Sequence, residues 1–275
     1  MSNIPMLNGE TRVLAIIGDP IAQVKSPASM TQTLQERGRN AVLVPVHVAP
    51  ADMDAFINGA SLARNIDGII VTVPHKFSAS KHCASASERA QFLGAVNIMR
   101  RNADGSWHGD QLDGLGFVNG MRAAGCDPEG ARALLVGAGG AGSAIALALL
   151  ESGVAGLAVH DDSVERRDAL LARLRARYGA RASAGSPDPA GFNVVVNATP
   201  AGMRPGDPLP LRADRLTPGM FVGDVITAPA VTPLIEVACG IGCRTQVGAG
   251  MFAEVARLMI AFLLEEGPLR GALRA

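Results

Sequence analysis

The segment Ala131-Arg132-Ala133-Leu134-Leu135-Val136, continuing as Gly137-Ala138-Gly139-Gly140-Ala141-Gly142-Ser143-Ala144, constrains this chain more than any other stretch. An aliphatic run that ends in close-set glycines and resumes as an apolar, helix-compatible stretch reads as a strand, a tight turn and a helix packed on the sheet. Gly137, Gly139 and Gly142 match the spacing G-x-G-x-x-G. The first glycine makes the turn, the second lets a diphosphate approach the backbone, and the third lets the helix lie close on the strand. The backbone N–H groups at the helix start, from Gly140 and Ala141 onward, would then face the anion. The glycines alone also suit an ordinary strand-to-helix turn, so their setting matters.

That setting includes Asp161 and Asp162, about 20 residues further on, where an acidic residue accepts hydrogen bonds from the adenosine ribose. A carboxylate there repels a 2′-phosphate, which favours NAD; Arg166 and Arg167 in the next helical turn would admit NADP. The alternative is that Asp162-Ser163 only caps the following helix, or that one aspartate caps while the other binds. A third segment, Asn197-Ala198-Thr199-Pro200-Ala201-Gly202-Met203, follows an aliphatic run. A polar turn at the C-terminal end of a parallel strand lies where open α/β sheets bind ligands.

The same alternation runs through the whole chain. Strands are expected at 13–17, 41–48, 68–73, 95–100, 133–136, 157–161, 193–197 and 220–225. Helices are expected at 27–38, 51–62, 115–124, 141–152, 163–178, 232–239 and 251–266, the last after a hinge at Gly248-Ala249-Gly250. Such βα alternation predicts an α/β protein with largely parallel sheets, and 275 residues suffice for two lobes. The fresh strand after Gly125 sets the division: residues 1–113, completed by 246–275, as one domain, and 114–245 as a dinucleotide-binding Rossmann domain. No internal repeat is visible.

Composition removes several function classes. Apolar residues at 48% against 18% charged support a folded core. Lys plus Arg and Asp plus Glu balance at 25 each, leaving no net field for nucleic acid or an anionic membrane. Aromatic residues at 4% leave few stacking platforms for single strands. Cys83, Cys126, Cys239 and Cys243 have neither redox nor zinc-ligand spacing, and His82 and the other histidines add no metal pattern. Reduced thiols, no signal-like start and no apolar run of about 20 residues lead us to expect a cytoplasmic protein; a monomer or homodimer is expected as its assembly state.

In the first half, Val71-Thr72-Val73-Pro74-His75-Lys76 places a lysine just beyond a strand, and Gly109-Asp110-Gln111-Leu112-Asp113-Gly114 opens a helix with an aspartate. A lysine and an aspartate that face one cleft can share a substrate hydroxyl and move its proton. Either is individually ordinary: Lys76 as a surface residue, Asp113 as a helix cap.

Together these segments resemble the shikimate and quinate dehydrogenases. The matching stretches run in family order: Gly18-Asp19-Pro20-Ile21…Ser26-Pro27, Val71 to Lys76, Gly94-Ala95-Val96-Asn97, Gly109-Asp110…Asp113-Gly114, the glycine turn, Asn197 to Met203, Asp224-Val225…Pro229…Thr232-Pro233-Leu234 and Gly248…Gly250-Met251. The resemblance implies a two-lobed oxidoreductase of aromatic amino acid biosynthesis or quinate use. Its N-terminal lobe would hold a cyclic hydroxy acid and its C-terminal lobe NAD or NADP. It also implies Lys76 and Asp113 as the catalytic pair, with Ser26, Thr72 and Asn97 at substrate positions. Asn197, Thr199, Pro200, Met203, Val225 and Gly248 would fall beside the cofactor.

Departures from the family pattern imply altered specificity with retained chemistry. Val24 stands where the family has the first serine of a carboxylate-holding Ser-x-Ser, and Ile70 where it has asparagine. Gln111-Leu112 replace Asn-Thr, Thr227 replaces a tyrosine, Glu254 a glutamine, and Asp162 the arginine of NADP-dependent members. Losing a hydrogen-bond partner in a polar pocket costs several kcal/mol. Shikimate itself is therefore expected to be a poor substrate. The competing reading is a catalytically silent sensor of NAD(H), for which a Lys76–Asp113 pair would have no use.

Overall fold

All eight aliphatic runs form strands in the computed structural model, which describes residues 7–270. The chain divides into two compact α/β units. One takes the chain as far as Gln111 and again from Ala256; the other is Leu112–Val255.

The first unit contains β1 (Arg12–Gly18), α1 (Ser26–Glu36), β2 (Ala41–His47), α2 (Met53–Leu62), β3 (Ile66–Val71), α3 (Lys76–Ala79), β4 (Ser85–Ala86), α4 (Glu88–Leu93), β5 (Ile98–Arg101) and β6 (Trp107–Asp110). Its sheet has the order β2-β1-β3-β5-β6-β4. Strand β1 is parallel to β2 and β3, whereas β5 is antiparallel to both β3 and β6. This sheet is mixed where a largely parallel one was expected. The cause is a tight β5–β6 hairpin: Asn102 N–H donates to Ser106 O at 2.8 Å, and Gly105 takes the left-handed φ of +87° that the turn requires. Strand β6, Trp-His-Gly-Asp, escaped the sequence reading because it has no aliphatic run.

Residues alternate across this sheet. Ala15, Ile17, Ile69, Val71 and Met99 bury one face with Met53 and Ile57 of α2 and with Trp107. Arg101 bolts that layer together. Its guanidinium donates to the carbonyls of Ala60, Ser61 and Ala63 at the end of α2 and lies 4.4 Å from the Trp107 ring.

The second unit contains α5 (Asp113–Ala123), β7 (Arg132–Val136), α6 (Gly140–Glu151), β8 (Gly156–His160), α7 (Val164–Tyr178), β9 (Ala182–Ala184), β10 (Val194–Asn197), β11 (Phe221–Asp224), α8 (Pro233–Ile241), β12 (Arg244–Gln246) and the start of α9 (Gly248–Glu265). Its strand order is β12-β11-β10-β7-β8-β9, with every pair parallel. Numbered from β7, this is the 3-2-1-4-5-6 order of a doubly wound dinucleotide-binding fold, whose strand order reverses between β7 and β10. Helix α6 is buried along nearly its whole length, from Gly142 to Leu150. That burial explains why its sequence is apolar on every side.

The expected hinge at Gly248-Ala249-Gly250 is instead the first turn of α9. A Cβ on Gly248 would lie 2.2 Å from the Ile226 carbonyl oxygen, so this glycine permits close backbone approach rather than bending.

Candidate active site and cofactor site

Because β5 runs antiparallel, its N-terminal end shares one sheet edge with the C-terminal ends of β1, β3 and β6. Backbone hydrogen bonds stitch that edge into one piece. Thr72 N–H donates to Ile17 O at 2.9 Å, and Asp19 N–H to Val73 O at 3.0 Å. Val71 N–H donates to Asn97 O at 2.8 Å, Asn97 N–H to Asp110 O at 2.9 Å, and Val96 N–H to Lys76 O at 2.9 Å. The edge therefore presents Thr72, Lys76 and Asn97 as neighbours. Lys76 is only 8% exposed and Asn97 only 1%, which removes the surface-lysine reading. The turn before Lys76 is pinned by His75, whose buried Nε2 donates to Val48 O at 2.8 Å, since a carbonyl can only accept. His47 and Asp19 pair at 2.7 Å on the same edge.

The other first-unit candidates are differently placed. Ser26 is buried as the first residue of α1, and Val24 is half-buried in the preceding loop. Ile70 is a core residue, in register with Ile16 of β1 and Ile98 of β5.

In the second unit, Asp113 is the first residue of α5 and is buried. A Cβ on Gly116, one turn along that face, would meet Val255 Cγ2 at 2.3 Å. Val255 of α9 is thus seated against this face of α5, and its neighbour Glu254 is half-buried. Nothing in the composition pointed to Val255; only the helix phase reveals it.

The glycine turn has the packing expected of a diphosphate loop. Gly137 has φ +107°, and a Cβ there would strike the Ala198 carbonyl carbon at 2.7 Å. A Cβ on Gly142 would fall 1.9 Å from Gly137 O, so α6 can begin only with glycine at that point. Gly139 differs: nothing lies within 4 Å of where its Cβ would be. The protein's own packing does not require glycine at position 139, and a cradle for a diphosphate does. Gly139 is also the N-cap of α6 and offers no side-chain cap, so the N–H groups that begin with Gly140 and Ala141 suit an anion. These residues fit a dinucleotide.

The two aspartates after β8 have different surroundings. Asp161 Oδ2 accepts Ala138 N–H at 2.7 Å; Oδ1 accepts Ser163 N–H at 2.8 Å and Arg166 Nη2 at 2.9 Å. Burial pushes this carboxyl up, but the N–H groups of Ala138 and Ser163 and the Arg166 guanidinium outweigh it and hold it below the usual carboxylate range. Helix α7 is capped by Ser163, whose Oγ accepts Arg166 N–H at 3.2 Å. The Asp162 side chain is fully exposed, with His160 Nε2 at 3.6 Å.

Asn197, the last residue of β10, is fully buried and holds the turn that follows. Its Oδ1 accepts from Thr199 N–H and Oγ1, and its Nδ2 donates to Asp224 Oδ2 at 3.1 Å. Asp224 also accepts from Ile226 N–H and from Thr232 Oγ1, the α8 N-cap. Burial dominates and pushes the Asp224 carboxyl up from its ordinary value. Pro200 and Met203 on this turn are exposed, Thr199 and Val225 are half-buried, and Gly248 packs on Ile226. In the sequence Asp224 is one member of a short motif; its register opposite Asn197 makes it the turn's anchor.

Among the described residues, no group of three or more His, Cys, Asp or Glu side chains could hold a metal ion, and no helix is long and apolar enough to cross a membrane.

Comparison with known proteins covers both units. A family model described as the shikimate dehydrogenase substrate binding domain matches residues 16–99. The NADP(+) shikimate dehydrogenase of Rubrobacter xylanophilus is 36% identical over 242 residues, 86% of this chain and 84% of that protein. The crystal structure of shikimate 5-dehydrogenase from Listeria monocytogenes, in complex with shikimate and NAD, is similar with a TM-score of 0.85 at 26% identity, over 96% of each chain. Quinate dehydrogenase from Corynebacterium glutamicum, in complex with NAD, matches with a TM-score of 0.84 at 29% identity, over 94% of this chain and 96% of that one.

Proposed function

The chain belongs to the shikimate dehydrogenase family and is an oxidoreductase of that kind; we propose that it exchanges hydride between a nicotinamide dinucleotide and a ring hydroxyl of a cyclic hydroxy acid. The observation that carries this reading is the stitched sheet edge, which holds a buried Lys76 beside Thr72 and Asn97. When bound, the nicotinamide ring supplies or accepts the hydride. In the oxidation direction Lys76 takes the hydroxyl proton at Nζ, and it returns that proton in reduction. Asp113 orients the hydroxyl. Asn97 and Thr72 bind neighbouring ring hydroxyls, and Ser26 binds the carboxylate.

With Val24 in place of a hydroxyl, and Ile70 committed to the core, the acid is held by fewer polar groups. Shikimate itself is therefore a poor substrate, and the preferred acid is shikimate's relative in ring and carboxylate but not in its full set of polar contacts. The Gly137–Gly142 turn holds the diphosphate. Asp161 is saturated by the chain itself, which leaves Asp162 to accept the adenosine ribose hydroxyls and to repel a 2′-phosphate. NAD is thus preferred over NADP, with Arg166 engaged by Asp161. The scattered cysteine spacing favours a reducing, cytoplasmic setting.

The test is a panel of cyclic polyhydroxy acids, shikimate and quinate included, with NAD and NADP in both directions. Turnover of at least one acid, with the higher kcat/KM on NAD, is expected. Binding of NAD without turnover of any acid would favour a sensor, and a higher kcat/KM with NADP would remove Asp162 from the ribose site.

A further inference from the structure

One cluster of buried polar side chains in the first unit has no part in the chemistry above. Asp110, the last residue of β6, is 3% exposed, yet its carboxylate takes four hydrogen bonds. Oδ1 accepts from Ser87 Oγ, from Arg89 Nε at 2.8 Å and from Gln111 N–H at 2.7 Å, while Oδ2 accepts from Arg89 Nη2. The Arg89 fork is bidentate, the geometry in which guanidinium fixes a carboxylate in direction as well as distance. Arg89 itself is one-third exposed, at the start of α4.

This carboxylate belongs to the residue whose backbone holds Asn97: Asp110 O accepts Asn97 N–H, and Asn97 O accepts Val71 N–H. The next peptide back, Val96 N–H, donates to Lys76 O. Ser87 closes the ring, since it caps α4 through Ala90 N–H and donates its own N–H to Gly109 O. Forward along the chain, the Gln111 N–H held by Asp110 is two residues from Asp113. A rotation of Asp110 would therefore displace Asn97 and, through Val96, the Lys76 turn. As a device for stability alone the pair is poor, because desolvating a carboxylate and a guanidinium offsets most of their attraction.

We propose that Arg89 and Asp110 are positioning residues of this enzyme, the Arg89 fork locking the Asp110 carboxylate so that Asn97 and the Lys76 turn stay in reactive register. The inference rests on the oxidoreductase reading and deepens it.

The experiment compares wild type, Arg89→Ala and Arg89→Lys in steady-state kinetics, NAD affinity and thermal denaturation, using an acid that wild type turns over. A misplacement of about 1 Å costs roughly 100-fold in rate, so Arg89→Ala should lower kcat by about 10- to 100-fold. NAD affinity should stay within about twofold, because the dinucleotide turn is not touched. Guanidinium ion at about 20 mM, far below concentrations that unfold proteins, should restore part of the lost kcat where equal sodium chloride does not. Arg89→Lys, which keeps the charge without the fork, should fold and show an intermediate loss.

Unchanged kcat in either variant, or a loss that guanidinium does not reverse, overturns the proposal. If Arg89→Ala does not fold, the Arg89→Lys kinetics decide. A wild type that turns over no acid defeats the functional reading instead, so the two failures are distinct.

Discussion

Lys76 is the residue on which the proposed chemistry turns, and its burial, like that of Asn97, is what an exposed lysine could not reproduce. Proton transfer by a positioned group contributes about 10²–10⁴-fold, so Lys76→Ala should lower kcat by at least ~10², and Asp113→Ala similarly, with NAD affinity little changed. Near-normal turnover in either variant would remove that residue from the mechanism. Asp161 gives a pH signature. Its folded-state carboxyl is held below its unfolded value, so its contribution to stability is complete above the ordinary carboxylate range and is lost as pH falls through the folded value. Asp161→Asn should cost about 1.5–3 kcal/mol at neutral pH, and urea denaturation of the two proteins should converge in acid. The thiols separate by burial in the same way. Desolvation pushes Cys83 up to about 12, whereas Cys239 is exposed. Limited alkylation at neutral pH should label Cys239 and spare Cys83, as peptide mapping would read.

At the scale of an element, the β7–α6 turn distinguishes glycines that serve packing from one that serves a ligand. Gly142→Ala would drive a Cβ into Gly137 O, so it should destabilise the unit by about 1–3 kcal/mol or prevent folding. Gly139→Ala meets open space and should fold with an unchanged melting temperature while losing NAD affinity by about tenfold or more. A Gly139→Ala protein with unaltered NAD binding, measured by calorimetry, would exclude this turn as the diphosphate cradle. The sequence pattern, which treats the three glycines alike, cannot make that distinction. Nor did it disclose β6, because a strand that ends in Gly109-Asp110 and pairs antiparallel within a hairpin needs no run of aliphatic side chains.

Over the whole molecule, ligand binding should appear as stability. A dinucleotide at 100 times its Kd adds about 2.7 kcal/mol to the unfolding free energy. NAD should therefore raise the melting temperature more than an equal concentration of NADP, and Asp162→Arg should reverse that order; an unreversed order would separate Asp162 from ribose recognition. Much of this protein was determined by sequence alone. The periodic aliphatic runs specify which segments become strands, because burying them is the dominant favourable term. The strand–glycine–helix run specifies a tight turn because only glycine permits the backbone contacts at positions 137 and 142. The tertiary structure decided the rest. Whether Lys76 is buried, whether Asp161 or Asp162 is bound up by the loop N–H groups, and where Val255 meets α5 depend on helix phase and on partners far along the chain. The Arg89–Asp110 fork, closed across 21 residues, likewise exists only once β6 has paired with its neighbours, since hydrogen bonds of this kind are set by directions in space that local sequence does not encode.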